Sequence, residues 1–454
     1  MNRKIWKALG IAFCMLALAA PRAMAERHEV WNDTDFKKAV QEINDESSDA
    51  ENEIVLMQDI TLGGDTADYT LRRGQTTIKS EDKDHKITIS MAGITVTGKG
   101  TALNLGADGY DQKLTIERNT GFAAITVSGG ATANMYKNVT LQDLDRQSTV
   151  NACVKLEGNS VFNMHGGVIQ NCKSQYSGGL YADNSTVTIS GGTISGCEGN
   201  LGGGLYADKS TVTIKGGTIS GCTAENNGGG LYVEGSTLTI ERGTISGCTA
   251  RNNGGGLYAI NSSTNSSTVN ISGGTISECK VNSNGGGLYA SNQSTINISG
   301  GTISGCSAYA GGGLYAKKNS IIEISGGTIS RCTTSKAGMG GGLCAYSSTL
   351  TISGGTIENN KATYGGGVAL NSSKIKAITN WTVSGNKAYK TDIGNGGVGG
   401  GIYLDYVLMN VSAGSNRIYN NQADRHGADI FLDGSNSSIT LPDAAGMGVK
   451  YPDS

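Results

Sequence analysis

Seven cysteines recur at one point of a repeated phrase: Cys172, Cys197, Cys222, Cys248, Cys279, Cys306 and Cys332, at spacings of 25, 25, 26, 31, 27 and 26 residues. Each closes a segment of the form Gly-Gly-Thr-Ile-Ser-Gly-Cys or a near variant. Thiols in such a register could pack as small apolar groups, join as disulfides, or bind a metal. If each repeat lies directly above the last, neighbouring Cα atoms stand about 4.8 Å apart, within disulfide reach. Packed thiols and vertical disulfides therefore both stay open. Zinc needs converging tetrahedral ligands, which a linear ladder does not supply, so no metal or other cofactor is expected. Beyond Cys332 the same position is held by Asn360, Asn386 and Asn421, which marks it as small and inward or at a corner.

A second series is aromatic: Tyr181, Tyr206, Tyr232, Tyr258, Tyr289 and Tyr315, with Cys344 where the next would stand. These residues alternate with Leu and Ala, which places them on the outer face. They could stabilise a sheet as same-face neighbours, or form a strip on which sugar rings stack. A third series pairs threonines (Thr186/Thr188, Thr211/Thr213, Thr237/Thr239, Thr349/Thr351), similar to the flat face of ice-binding solenoids. It is broken by Thr268/Asn270, Thr295/Asn297 and Ile321/Glu323. Acid–base catalysis needs clustered carboxylates, Lys, Arg or His. The histidines at 28, 85, 165 and 426 stand in unlike contexts, and the densest polar cluster, "DRHGAD" at 424–429, reads as structural. No catalytic residue is assigned.

The elements that must position these series follow from the repeat itself. In the copy beginning at Gly202, three short strand candidates are "LYA" (205–207), "STVTI" (210–214) and "TISGC" (218–222). Alternation puts Leu205, Ala207, Val212, Ile214 and Ile219 on one face. Burying each large side chain returns roughly 1.5–3 kcal/mol, whereas ordering each of some 25 residues costs on the order of 1–2 kcal/mol. An isolated repeat is therefore unstable, and stacked repeats that pair every strand in register are stable. The expected fold is all-β, a single-stranded right-handed parallel β-helix of about 25–26 residues per rung, the hand following the general bias of parallel crossovers. The Gly-Gly-Gly runs at 202–204, 228–230, 254–256, 285–287, 311–313, 340–342, 365–367 and 399–401 would form corners. None leads into a helix carrying Lys-Ser/Thr, which argues against a phosphate cradle.

Around the solenoid, "WNDTDFKKAVQEI" (31–43) has Phe36, Val40 and Ile43 at helical spacing with Asn32 or Thr34 as N-cap, and predicts a capping helix. The organisation reads as a signal peptide over 1–25, an N-terminal cap over 26–53, the β-helix over 54–441 in roughly 15 rungs, and a tail over 442–454. The leader combines Arg3, Lys4 and Lys7, an apolar stretch from Ala8 to Ala20, and Ala23-Met24-Ala25. Its removal takes Arg3, Lys4, Lys7 and Arg22, so the 36 basic residues become 32 against 38 acidic ones. Such a balance excludes a basic nucleic-acid footprint. No integral membrane span follows the leader, and the expected location is extracellular or at the cell surface. Two insertions, "NSSTNS" (261–266) and "TDIGNGGVG" (391–399), lengthen single rungs to 31 and 35 residues, and such loops often carry binding residues.

The pairing of Gly-Gly-Gly-aliphatic with Ile-x-x-Asn or Ile-x-x-Cys, clearest at Gly365–Val368 and Ile357–Asn360, resembles the repeats of chlamydial polymorphic outer-membrane proteins. It is also similar to bacterial surface β-helix proteins built on Gly-Gly-Ala-aliphatic and Phe-x-x-Asn tetrapeptides. The resemblance covers residues 166–421. It departs in Gly for Ala at the third position, Ile for Phe, and Cys for Asn in seven rungs. Members that export themselves end in a membrane barrel, and residues 442–454 are too few for one. The resemblance implies adhesion or display, with an unidentified surface glycan or protein as partner. A polysaccharide-active lyase or hydrolase and an ice-binding protein are the alternatives.

Overall fold

The computed structural model describes residues 25–46, 50–119, 121–143, 151–335, 337–391, 396–410, 415–433 and 437–440. Of the expected leader only Ala25 falls among them, and the tail at 442–454 lies outside. Among the described residues the chain winds through three parallel sheets of 14 strands each, joined on one side by a nine-stranded fourth sheet, with a two-stranded pair of Leu408–Asn410 and Ser438–Thr440 near the C-terminal end. In the repeat from Leu205, the strands are Leu205–Asp208, Thr211–Ile214, Thr218–Ser220 and Thr223–Asn227. We name the first three sheets after these strands: Leu-Tyr, Thr-Val and Thr-Ile. The fourth sheet is an addition to the three strands expected. Its strands are mostly two residues long, too short to show as alternation in the sequence.

Register is strict. Leu205 pairs with Leu231, Leu231 with Leu257, and Leu257 with Leu288, so identical residues stack upon one another. All five residues assigned to the inner face, Leu205, Ala207, Val212, Ile214 and Ile219, are buried. They belong to one continuous core that runs from Val30 to Met409.

The open first rung is closed by a helix. Strand β1 (Glu26–Val30) leads into α1 (Asp33–Asp45), and β2 (Glu51–Leu56) returns beside β1 as its parallel neighbour. The sheet thus begins inside the segment expected to be a cap alone. Asn32 caps α1 by accepting the Asp35 N–H at 3.0 Å, and the Asp35 carboxylate accepts the Trp31 N–H at 3.1 Å. Phe36, Ala39, Val40 and Ile43 form the buried stripe of the helix. Phe36 meets Tyr69 edge-on with ring centroids 5.9 Å apart.

Candidate functional site

The cysteine ladder is a structural seam. All seven thiols are fully buried and unpaired by disulfides. Each Sγ donates to two carbonyls, as Cys332 does to Ser330 at 3.3 Å and to Ile303 of the preceding rung at 3.8 Å. Asn360 makes the second of these bonds with an amide, Nδ2 to the Ile329 carbonyl at 3.0 Å. Cys and Asn thus exchange because the corner needs a small donor aimed at one backbone oxygen. The third glycine of each run faces this seam. A Cβ at Gly313 would lie 2.6 Å from the Gly342 carbonyl oxygen and 3.3 Å from Cys332 Sγ, so even alanine is excluded there. Burial pushes the Cys172 thiol well up, and that of Cys344 up to about 12. Protonated thiols of this kind are poor nucleophiles.

The tyrosines lie outside the solenoid wall, as alternation requires, but they do not form an open strip. Tyr206, Tyr232, Tyr258 and Tyr289 are only 8, 7, 8 and 2 % exposed. Their rings cover each other, with centroids 4.9 Å apart for Tyr232–Tyr258 and 4.8 Å for Tyr258–Tyr289, both stacked. Leu201 of the fourth sheet and Ile260 pack against them, and Tyr181 and Tyr315 close the two ends half-buried. The first glycine of each run folds the corner over the rings. At Gly311, φ is +62° and a Cβ would stand 2.6 Å from that of Tyr315. The faces a sugar would need are therefore occupied by neighbouring tyrosines.

The carboxylates weighed for catalysis are likewise engaged. Within "DRHGAD", Asp424 accepts the Lys390 N–H at 3.1 Å and Asp429 accepts from Asn421 Nδ2 at 2.9 Å, while His426 pairs with Val398 through its backbone and its ring is exposed. The ring of His165 stacks on Tyr136 at 5.2 Å, and His85 lies buried beside Asp82. The most buried charge is Arg118, paired with Asp143 and donating to the carbonyls of Phe122, Asn151, Ala152 and Lys173. Its five donors are fully used inside the core, and nothing in the sequence pattern pointed to it.

An open site remains where the Leu-Tyr strands turn into the Thr-Val strands. Most rungs make this corner with one residue at positive φ, such as Lys209, followed by a buried serine, such as Ser210. That serine donates to a nearby carbonyl, Ser210 Oγ to Asp208 at 2.7 Å. Three consecutive rungs enlarge the corner. The first carries the insertion at 261–266. The next two place pairs at positive φ, Asn292–Gln293 and Lys318–Asn319. Together they border a cleft of about 420 Å³ lined by Asn261, Ser262, Ser263, Asn292, Gln293, Lys318 and Asn319.

The cleft is preformed. Ser262 Oγ accepts the Asn265 N–H at 2.9 Å, and Asn261 Oδ1 accepts the Ser267 N–H at 2.6 Å. The Gln293 N–H donates to the Lys318 carbonyl at 2.9 Å, tying the second corner to the third. Gln293, Lys318 and Asn319 are exposed, and their side chains make no hydrogen bond among the described residues. The lining offers amides, hydroxyls and one ammonium, with no carboxylate, imidazole or thiol. It can bind a polar ligand, but it holds no acid–base pair. The insertion signalled the first corner in the sequence. The other two are one-residue enlargements, of which only the one at Asn292–Gln293 shows in the spacing, as the 27 residues before Cys306. Of the insertion at 391–399, residues 392–395 lie outside the described residues.

A family model for the right handed beta helix region matches residues 112–272 and 243–443. The chain belongs to the right-handed β-helix family. Neither the curated proteins nor the solved structures gave a match. For this β-helix the membership establishes the fold and its hand. Among the described residues, no helix is long and apolar enough to cross a membrane.

Proposed function

We propose that this β-helix is an exported surface or secreted protein that works in adhesion or display by binding a glycan in the cleft between residues 261 and 319. The observation that carries the reading is the lining: seven polar residues, no carboxylate, and a volume of about 420 Å³ that suits one or two sugar rings. Hydroxyl-rich ligands match amides that donate and accept together. Export is supported by the basic-apolar-small pattern of residues 1–25. The narrower kinship with chlamydial polymorphic outer-membrane repeats rests on Gly365–Val368 and Ile357–Asn360 and belongs to the same proposal.

A glycan array probed with the wild-type chain, a Gln293→Ala/Lys318→Ala/Asn319→Ala variant and Tyr258→Phe tests it. Specific binding that is lost in the triple variant and kept in Tyr258→Phe is expected. Binding that survives the triple variant would move the site elsewhere, and no glycan binding by the wild type would sink the reading.

Ice binding is a second reading with its own observation. Thr193, Thr218, Thr244, Thr275, Thr302, Thr328, Thr356 and Thr382 stand in register on the Thr-Ile sheet, a longer array than the Thr pairs. Thermal hysteresis of the purified chain decides it.

A further inference from the structure

The N-terminal cap holds a cluster of donor atoms that the spacing of the sequence did not reveal. Glu26 and His28 are two apart on β1, so both side chains leave the same face of the strand. Asn52 of β2 pairs directly with Glu26. Glu46 closes the C-terminus of α1, which lies over this sheet. One ligand atom each from Glu26, His28 and Glu46 lie within 4.8 Å of one another.

The buried members point to a missing partner. His28 is 9 % exposed and Asn52 2 %. The Nδ1 of His28 faces Glu42 at 3.3 Å, while its Nε2 has no hydrogen-bond partner. The Oδ1 of Asn52 is likewise unpartnered. Buried polar atoms are rarely left unsatisfied, because each costs the desolvation of the group. An imidazole held at one nitrogen by a carboxylate, with the other nitrogen bare, is the arrangement typical of a metal-bound histidine. The two carboxyls also gain from a cation. Burial first, and then the contact with Glu26, raises the pKa of Glu46, with His28 and Asn52 acting in the opposite direction.

We propose that Glu26, His28, Glu46 and Asn52 bind one divalent transition-metal ion, with zinc as the natural occupant. Two carboxylates, one imidazole and one amide oxygen form a mixed nitrogen–oxygen set of the kind borderline metals take, whereas calcium prefers oxygen alone. The ion joins β1, β2 and the end of α1, so it pins the cap onto the first rung. Glu42 is a positioning residue that orients the ring. The carboxylates of Glu26 and Glu46 balance the ion's double positive charge, and that of Glu42 stands behind the ring at 3.3 Å from Nδ1.

The test is calorimetric titration of ZnCl2 into the purified, EDTA-treated full chain, beside Glu26→Gln, His28→Gln and Glu42→Gln. One zinc per chain is expected, with affinity at least tenfold weaker in Glu26→Gln and about 10–100-fold weaker in Glu42→Gln. Hydrogen exchange should show α1 protected by zinc in the wild type and unaffected in Glu26→Gln. Glu26 is exposed, so its variant keeps the cap folded even if His28→Gln does not. Absence of saturable zinc binding, equal affinity in Glu26→Gln, or a preference for CaCl2 over ZnCl2 would overturn the assignment.

Discussion

The backbone N–H of Cys332 donates to the side-chain Oδ1 of Asn360 at 2.8 Å, and this bond joins a ladder of thiols to a ladder of amides. Above it the pattern repeats. Asn386 Oδ1 accepts the Asn360 N–H at 2.9 Å, and Asn421 Oδ1 accepts the Asn386 N–H at 2.9 Å. A thiol can donate to the carbonyl below but has no oxygen to offer the backbone of the preceding rung. The amide does both.

Asn386→Ala should therefore cost more than its size implies. It strands the Asn360 N–H and the Ile357 carbonyl inside the core, at about 1–3 kcal/mol for each unsatisfied group. Asn386→Cys retains the donor to Ile357 and should lose less than half as much. Urea unfolding of the two variants compares them, with exchange of the Asn360 amide as the local readout. Equal losses would show that a donor to the Ile357 carbonyl contributes nothing at this position.

Buried, hydrogen-bonded thiols also predict chemistry. Nine described cysteines are free and buried, so an aromatic disulfide reagent should label essentially none in the native chain. In guanidinium without reductant, all nine of these thiols should react. A lower count would reveal vertical disulfides along the ladder.

The tyrosine stack makes stability fall at high pH. Burial, then the nearby Asp183 and Asp208, push the Tyr181 hydroxyl up to about 12. Burial and Glu234 raise Tyr206 and Tyr232 further. The folded chain thus holds these protons more tightly than the unfolded chain, whose tyrosines titrate near 10. Their contribution is complete below about pH 10 and is lost as pH rises toward 12 and beyond. Absorbance of tyrosinate and the circular dichroism of the sheets should change together in that window. Ionisation of all tyrosines near pH 10, with the sheets intact, would contradict the burial.

How much of this was legible depended on whether repetition carried the signal. Leu205, Ala207, Val212, Ile214 and Ile219 were readable as a core because alternation and stacking say the same thing. The helix 33–45 was readable from Phe36, Val40 and Ile43. Burial of the tyrosines was not, because alternation reports the side of a strand and not whether a corner folds over it. Arg118 and Asp143 break the repeat and meet only through register. The enlarged corners at Asn292 and Lys318 add single residues: the first lengthens its rung to 27, and the second leaves an ordinary spacing of 26. His28 and Glu46 are far apart in sequence, and only the fold of α1 over β1 brings them together.

The Arg118–Asp143 pair invites a test of its own. Asp143 also accepts the Lys173 N–H at 2.6 Å, so it ties the guanidinium to the next rung. Asp143→Ala leaves a buried guanidinium without its counter-ion and should cost about 3–5 kcal/mol, whereas removing both charges together in Arg118→Met/Asp143→Leu should cost distinctly less. Guanidinium denaturation midpoints of the two variants give the comparison, and a double variant as unstable as Asp143→Ala would show that the carbonyl contacts of Arg118, not the ion pair, hold the rungs.

The cleft holds two strained residues. Gln293 and Lys318 hold φ of 63° and 54°, a conformation that costs a residue with a Cβ roughly 1–2 kcal/mol. Elsewhere the same corner uses Gly235 at φ 53°. Gln293→Gly and Lys318→Gly should each relieve that strain, offset in part by the freedom glycine adds to the unfolded chain, for a net gain below about 1 kcal/mol. If the cleft is a binding site, the same two variants lose ligand affinity while the chain melts at a higher temperature. Strained residues that improve stability when removed and impair binding are the mark of a site kept for function. A rise in melting temperature with glycan binding unchanged would instead make these corners ordinary variation in the repeat, and would remove the strain argument for the cleft.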